Sequence, residues 1–183
     1  MKAIFTPLFA VLCLISVISC KSDDDTPPAP SNADLIVSNW NMTSNTVDDG
    51  NGTARVQGFP ITADFIWDGK DYDYQLTFNK DNKVAENGSL TLVLTYSTLI
   101  GTKEQEIPLN TGADGNVLLS GAYNISSDQL TVTNDGNTVV ATIDELTETT
   151  LRLSVDLANV SPQILGAMVE NITGTNKITF TKQ

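Results

Sequence analysis

From about residue 34 onward, apolar side chains recur at every second position. Leu90, Leu92, Leu94 and Tyr96 share one side of a strand while Thr91, Val93 and Thr95 take the other. Leu151, Leu153, Val155 and Leu157 oppose Arg152, Ser154 and Asp156 in the same way. A period of two marks a strand with one buried face, and such strands belong to antiparallel sheets. The runs are punctuated by Asp49-Gly50, Asp68-Gly69, Asn87-Gly88, Asp114-Gly115 and Asp135-Gly136, pairs that tolerate the positive φ of tight hairpins. The pattern predicts strands near 35–43, 53–67, 70–79, 84–98, 103–109, 118–125, 128–134, 137–144, 149–157 and 176–182. Strands in simple succession favour an all-β, antiparallel up-and-down barrel of about 8–10 strands, with a two-sheet β-sandwich as the alternative.

Two segments carry finer expectations. With Asp68-Gly69 as a two-residue loop, Ile61 to Phe78 would form a hairpin pairing Trp67 with Lys70, Phe65 with Tyr72, Ala63 with Tyr74 and Ile61 with Leu76. That register sets Asp64 opposite Asp73 with Asp71 close by, which is unfavourable unless the register differs or a cation sits there. Asp64, Asp71 and Asp73 are therefore a weak metal candidate, and with Trp67, Asp68, Tyr72 and Tyr74 a weak glycan or calcium candidate. Solvated acids on a hairpin outweigh both readings. The second segment is Ser161 to Asn171, which breaks the β pattern. Ser161 suits an N-cap and Pro162 a first helical position, and Ile164, Leu165, Met168, Val169 and Ile172 would share one helical face. A short helix before the last strand is expected there, plugging one end of the barrel, with a movable lid over a ligand mouth as the alternative.

The first 33 residues have a different character. After Met1-Lys2, the 17 residues from Ala3 to Ser19 carry no charge, the layout of a signal peptide and short for a membrane-spanning helix. Val17-Ile18-Ser19-Cys20 resembles a bacterial lipobox, which implies cleavage before Cys20 and lipidation of that residue. Cys13 would leave with residues 1–19, so the remaining domain has neither a disulfide nor a free thiol. Multiple acyl chains on Cys20 would give a stable membrane anchor. Lys21, Ser22, Asp23, Asp24 and Asp25 resemble the acidic tract that sends lipoproteins of Bacteroidota to the outer face of the outer membrane, the periplasmic face being the alternative. Thr26 to Ala33, with three prolines, reads as an extended tether. The expected organisation is thus 1–19 signal peptide, 20–33 lipidated cysteine and tether, and 34–183 barrel domain.

Charge and composition narrow the chemistry. The whole chain carries −12, from 10 basic and 22 acidic residues, and loss of Lys2 leaves the remainder near −13. Such acidity argues against nucleic acid, whose phosphates need a basic footprint. There is no histidine, which removes Ser-His-Asp and Cys-His nucleophiles, histidine zinc sites and the usual near-neutral acid–base group. No catalytic residue and no cofactor are expected, and the chain is read as a non-enzyme and a monomer.

Several stretches, in order, carry a family likeness. They are Leu35 to Met42 with Trp40, Leu76 to Val84, Gly121 to Ile125 with Leu130 to Val132, Ile143 to Thr147 with Leu151 to Leu153, and Ile178 to Phe180. Together they resemble the lipocalin-like lipoproteins of Bacteroidota over residues 35–182. Ser38 replaces the glycine two before the tryptophan, and with only Arg55 and Arg152 in the chain no arginine is placed to cover Trp40. The resemblance implies a calyx for a small apolar or amphipathic ligand, lined by inward side chains among which Trp40, Phe65, Tyr72, Phe78, Leu92, Leu94, Leu153 and Phe180 are the candidates. The other reading is a filled barrel acting as an interaction module, an accessory subunit or glycan-binding surface protein. Only the volume of the interior separates the two.

Overall fold

The computed structural model describes residues 30–56, 59–98, 101–111, 119–159 and 169–183. A short helix, α1 (Asn32–Ile36), precedes ten strands: β1 (Asn39–Val56), β2 (Phe59–Phe78), β3 (Lys83–Thr98), β4 (Gly101–Asn110), β5 (Gly121–Ser126), β6 (Gln129–Asn134), β7 (Asn137–Leu146), β8 (Thr150–Asp156), β9 (Val169–Thr173) and β10 (Thr175–Lys182). All pairings are antiparallel, and β10 joins both β8 and β1, so the sheet closes on itself. The protein is an all-β barrel.

Ten strands make eight wall positions. β4 pairs with Ser89–Thr98 of β3, while β5 pairs with Lys83 and Val84 of the same edge. The two are successive pieces of one wall strand. In the same way β10 pairs with Trp40–Val47 of β1 and β9 with Asn51–Ala54. Gly174 forms the break, at φ 125°, where a Cβ would lie 2.9 Å from the Gly50 Cα. Only glycine fits both that backbone and that approach. Because β1, β2 and β3 run 16 to 20 residues and β5 to β8 only 6 to 10, one side of the barrel stands taller than the other.

The floor is built by α1. Ser31 and Asp34 form a reciprocal capping box, with Asp34 N–H donating to Ser31 Oγ and Ser31 N–H donating to Asp34 Oδ2, each at 3.3 Å. The helix turns Ile36 fully inward, and the Trp40 indole N–H donates to the Ile36 carbonyl at 2.7 Å. Lys182 Nζ stands 5.8 Å from the Trp40 ring centroid, so a C-terminal lysine covers this tryptophan where no arginine could. Ser31, Asn32 and Ala33 belong to this cap and not to an extended tether. Leu35 and Ile36 are helical where a strand from residue 35 is expected, because the capping box fixes the turn.

The weakest joint in the wall is β3–β5, with two register pairs. Side chains reinforce it. The buried Tyr74 hydroxyl donates to Glu86 Oε2, and the same carboxylate oxygen accepts the Leu119 N–H at 3.2 Å. Phe78 and Tyr123 meet edge to face, 5.1 Å between centroids, and the Tyr123 hydroxyl donates to the Asn79 carbonyl at 3.0 Å.

The expected hairpin at Ile61 to Phe78 does not form. β2 is one continuous strand in which Trp67 faces Val47 on one neighbour and Leu94 on the other. Its full-length partners on both edges outweigh the turn preference of Asp68-Gly69. The positive φ falls instead on Asp71, at 53°, where one extra residue bulges between Lys70 and Asp73. Asp49-Gly50 lies within β1, at a slip in register between Val47 and Gly50, and Asn87-Gly88 lies within β3. Asp135-Gly136 is the expected turn, with φ of 47° and 84° joining β6 to β7. Asp114-Gly115 lies outside the described residues. So does 161–168 of the expected helix, but its last residues do not continue it: Val169, Glu170, Asn171 and Ile172 are in β9. β1 outruns β10, and that open edge is what they pair with.

Candidate functional site

The interior changes character from floor to rim. Down the inner face of β2, exposure falls from 73% at Phe59 and 46% at Ile61 to 8% at Phe65, 3% at Trp67 and 0% at Leu76. On β3, Tyr96 and Leu94 are half-buried while Leu92 and Leu90 are sealed. On the β9–β10 wall the order is Ile172, half-buried, then Asn176, Ile178 and finally Phe180 at 0%. A side chain with no exposure touches no space large enough for water. The lower barrel is therefore filled, and accessible surface begins above it.

This gradient divides the eight candidate ligand contacts. Trp40, Phe78, Leu92, Leu153 and Phe180 are packed core, each at 2% exposure or less. Phe65 and Leu94 stand higher and keep accessible surface, whereas Tyr72, half-buried, lies below Leu92 in register at the gap between β1 and β2. The Phe65 and Trp67 rings stack at 5.7 Å with 24° between planes. Gly50 leaves room for this pair, since a Cβ there would lie 2.3 Å from the Phe65 ring.

Polar groups join the aromatics. Trp67 Nε1–H donates to Asn45 Oδ1 at 3.0 Å, and the Asn45 backbone N–H donates to the Tyr72 hydroxyl at 3.0 Å. That amide is free for the phenol because β1 slips against β2 between Asn41 and Thr46. Burial, and to a smaller degree the charge of Asp68, raises the Tyr72 phenol above its ordinary value, although the Asn45 bond opposes this. Asn45 and Asn176 are the buried polar side chains among the described residues, and no charged side chain is buried with them. They occupy adjacent strands two residues apart in register, Asn45 opposite Ile178 and Asn176 opposite Val47. Asn176 Oδ1 has no hydrogen-bond partner.

The metal candidate comes apart. Asp64 faces Asn51, whose Nδ2 donates to Asp64 Oδ1 at 2.7 Å, whereas Asp73 faces Ser89. Nine positions along one strand separate the two carboxylates by roughly 25–30 Å. Asp71 serves the bulge, and among the described residues no group of three acidic, cysteine or histidine side chains is arranged to hold a metal. The glycan cluster fails for a related reason, because Trp67 and Tyr74 point into the barrel. An open groove of about 360 Å³ lies where β1 and β2 slip, but its Gln75 Nε2 already donates to Asn41 Oδ1 and Gln183 Oε1. Cys20, Lys21, Ser22, Asp23, Asp24 and Asp25 lie outside the described residues.

Comparison of the chain with protein-family models, with curated proteins and with solved structures finds no match. Neither Asn45 nor Asn176 stands out in the sequence, since asparagine is abundant in this chain and usually signals a turn. The usable signal was Asn176 in the series Asn176, Ile178, Phe180, where a polar residue holds a core position.

Proposed function

We propose that this chain is an outer-membrane lipoprotein, displayed at the cell surface, whose lipocalin-like barrel takes a small apolar or amphipathic molecule into its upper half. The observation that carries the proposal is the exposure gradient along the inner faces of β2, β3 and β9–β10. The stacked Phe65 and Trp67 rings and the unpaired Asn176 oxygen stand where the packed zone gives way to accessible surface, which supports this reading. The sequence Val17 to Cys20 supports anchoring, and Asp23 to Asp25 support export. The absence of histidine supports a binding role over a catalytic one.

Native mass spectrometry of the protein isolated from its own host tests the binding role. A retained neutral mass, released on unfolding, is the expected result. An empty protein that also fails to take up an apolar fluorophore would overturn it. For the anchor, Cys20→Ala is expected to abolish palmitate incorporation, and unchanged labelling would refute it. Replacing Asp23, Asp24 and Asp25 with Ala is expected to reduce cleavage by external protease on intact cells.

A second reading has its own support. Ile66 is 44% exposed on the outer face of β2, between the inward Phe65 and Trp67, and offers apolar surface to a protein or glycan partner. Ile66→Ser is expected to weaken partner capture under that reading and leave uptake of a small ligand in place.

A further inference from the structure

A buried amide oxygen without a partner is costly in a barrel whose other described core side chains are almost all apolar. Asn176 is 92% buried, given its 8% exposure, and its Oδ1 makes no hydrogen bond. Valines stand directly across from it on both neighbouring strands, Val47 on β1 and Val155 on β8. Neither can donate. The nearest amide in register is Asn45, and its Nδ2 donates no hydrogen bond to the Asn176 oxygen. The unpaired oxygen is a cost that an apolar side chain at position 176 would not carry.

We infer that Asn176 is the recognition point of the upper barrel and accepts a hydrogen bond from a hydroxyl or N–H group of a neutral, otherwise apolar ligand. This rests on the binding role proposed above and specifies its ligand class. The lack of any buried charged side chain among the described residues selects a neutral molecule, because nothing there would compensate a buried ligand charge. The depth of Asn176 below half-buried Ile172 fixes the orientation: the polar end enters first, and the apolar body lies higher, against Phe65 and Leu94. A ligand of the same size without a donor leaves the Asn176 oxygen unsatisfied and binds more weakly.

The test uses two isomers, 1-decanol and 1-methoxynonane, which differ in having or lacking a donor. Each is titrated against N-phenyl-1-naphthylamine fluorescence on the full domain. Decanol is expected to displace the fluorophore about tenfold more effectively than the ether. Asn176→Leu is expected to bring the two within about twofold while still taking up the fluorophore. If Asn176→Leu does not fold by circular dichroism, Asn176→Val supplies the same comparison with a smaller side chain. Equal displacement by both isomers from the unmodified protein would overturn the inference and leave the binding role intact, Asn176 then serving an internal water only. A preference that survives in the folded variant would also overturn it, by assigning recognition elsewhere. Failure of the fluorophore and both isomers to bind would instead overturn the binding role itself.

Discussion

The chain has two tryptophans, and they stand in opposite halves of one barrel. Trp40 is sealed at the floor, its indole N–H bound to a backbone carbonyl of the capping helix and its ring covered by Lys182. Trp67 stands higher, its indole N–H bound to the side chain of Asn45 and its ring stacked on Phe65. The floor satisfies its polar groups from the main chain and fills the remaining space with Ile36, Leu76, Leu151 and Phe180. The upper half uses side-chain amides, a phenol and glycines that make room for rings. A backbone partner is fixed once the strand forms, whereas a side-chain partner can turn. The contrast separates a floor held by main-chain bonds from an upper half held largely by side-chain bonds, the half to which a binding role is proposed above.

The contrast breaks most visibly at Trp40. Trp40→Ala is expected to cost about 3–5 kcal/mol in urea unfolding, since it empties a sealed site and orphans the Ile36 carbonyl. A loss below about 1 kcal/mol would mean that the floor is not packed. Two leucines sharpen the comparison. Leu153→Ala, at 0% exposure, is expected to cost about 2–5 kcal/mol. Leu94→Ala, half-buried, is expected to cost roughly 1–1.5 kcal/mol. Equal losses would erase the division into packed and accessible zones.

Alkaline pH examines the wall between the halves. Burial first, and then the charge and hydrogen bond of Glu86, hold the Tyr74 phenol well above its ordinary value of 10.0. The fold thus favours the neutral phenol. Its contribution is whole below about pH 10 and is lost as pH climbs toward the raised value. Tyr74→Phe is expected to flatten the fall in unfolding free energy above pH 10, and an unchanged slope would show that this phenol is not the group responsible. The smallest effect belongs to Lys182→Ala, about 0.5–1 kcal/mol for a cation over an aromatic face. Equal unfolding midpoints for the variant and the unmodified chain would show that the lysine merely rests there.

How much of this was legible beforehand depends on the residues asked. The alternation at Leu90 to Tyr96 and at Leu151 to Leu157 reports inner faces correctly, because a period of two survives whatever the neighbours are. Asp135-Gly136 reports its turn for the same local reason. Asp68-Gly69 misleads because aspartate and glycine suit bulges as well as hairpins, and only partners on both edges of β2 decide between them. Val169 to Ile172 read as helix because their pairing is set by how far β1 extends, more than a hundred residues away. Ser31 and Asp34 were readable as a capping box, a signal masked by the strand-like run Leu35-Ile36-Val37. Of the candidate contacts, hydrophobicity selected inward residues but not height. Phe180 and Phe65 have the same side chain, and only the topology puts one at the floor and the other near the rim.

The capping helix gives the barrel one working end. With Ile36 and Trp40 stoppering the bottom, the molecule is a cup and not a conduit, and under the proposed binding role an occupant would depart by the route through which it came. Entry and exit then share one barrier at the rim. Under the proposed binding role, a bulkier side chain at the half-buried rim position of Tyr96 is expected to slow, and a smaller one to quicken, both directions together, leaving the equilibrium nearly where it was. Under that role, such a vessel would hold its contents for a time set by its lip and in an amount set by its depth.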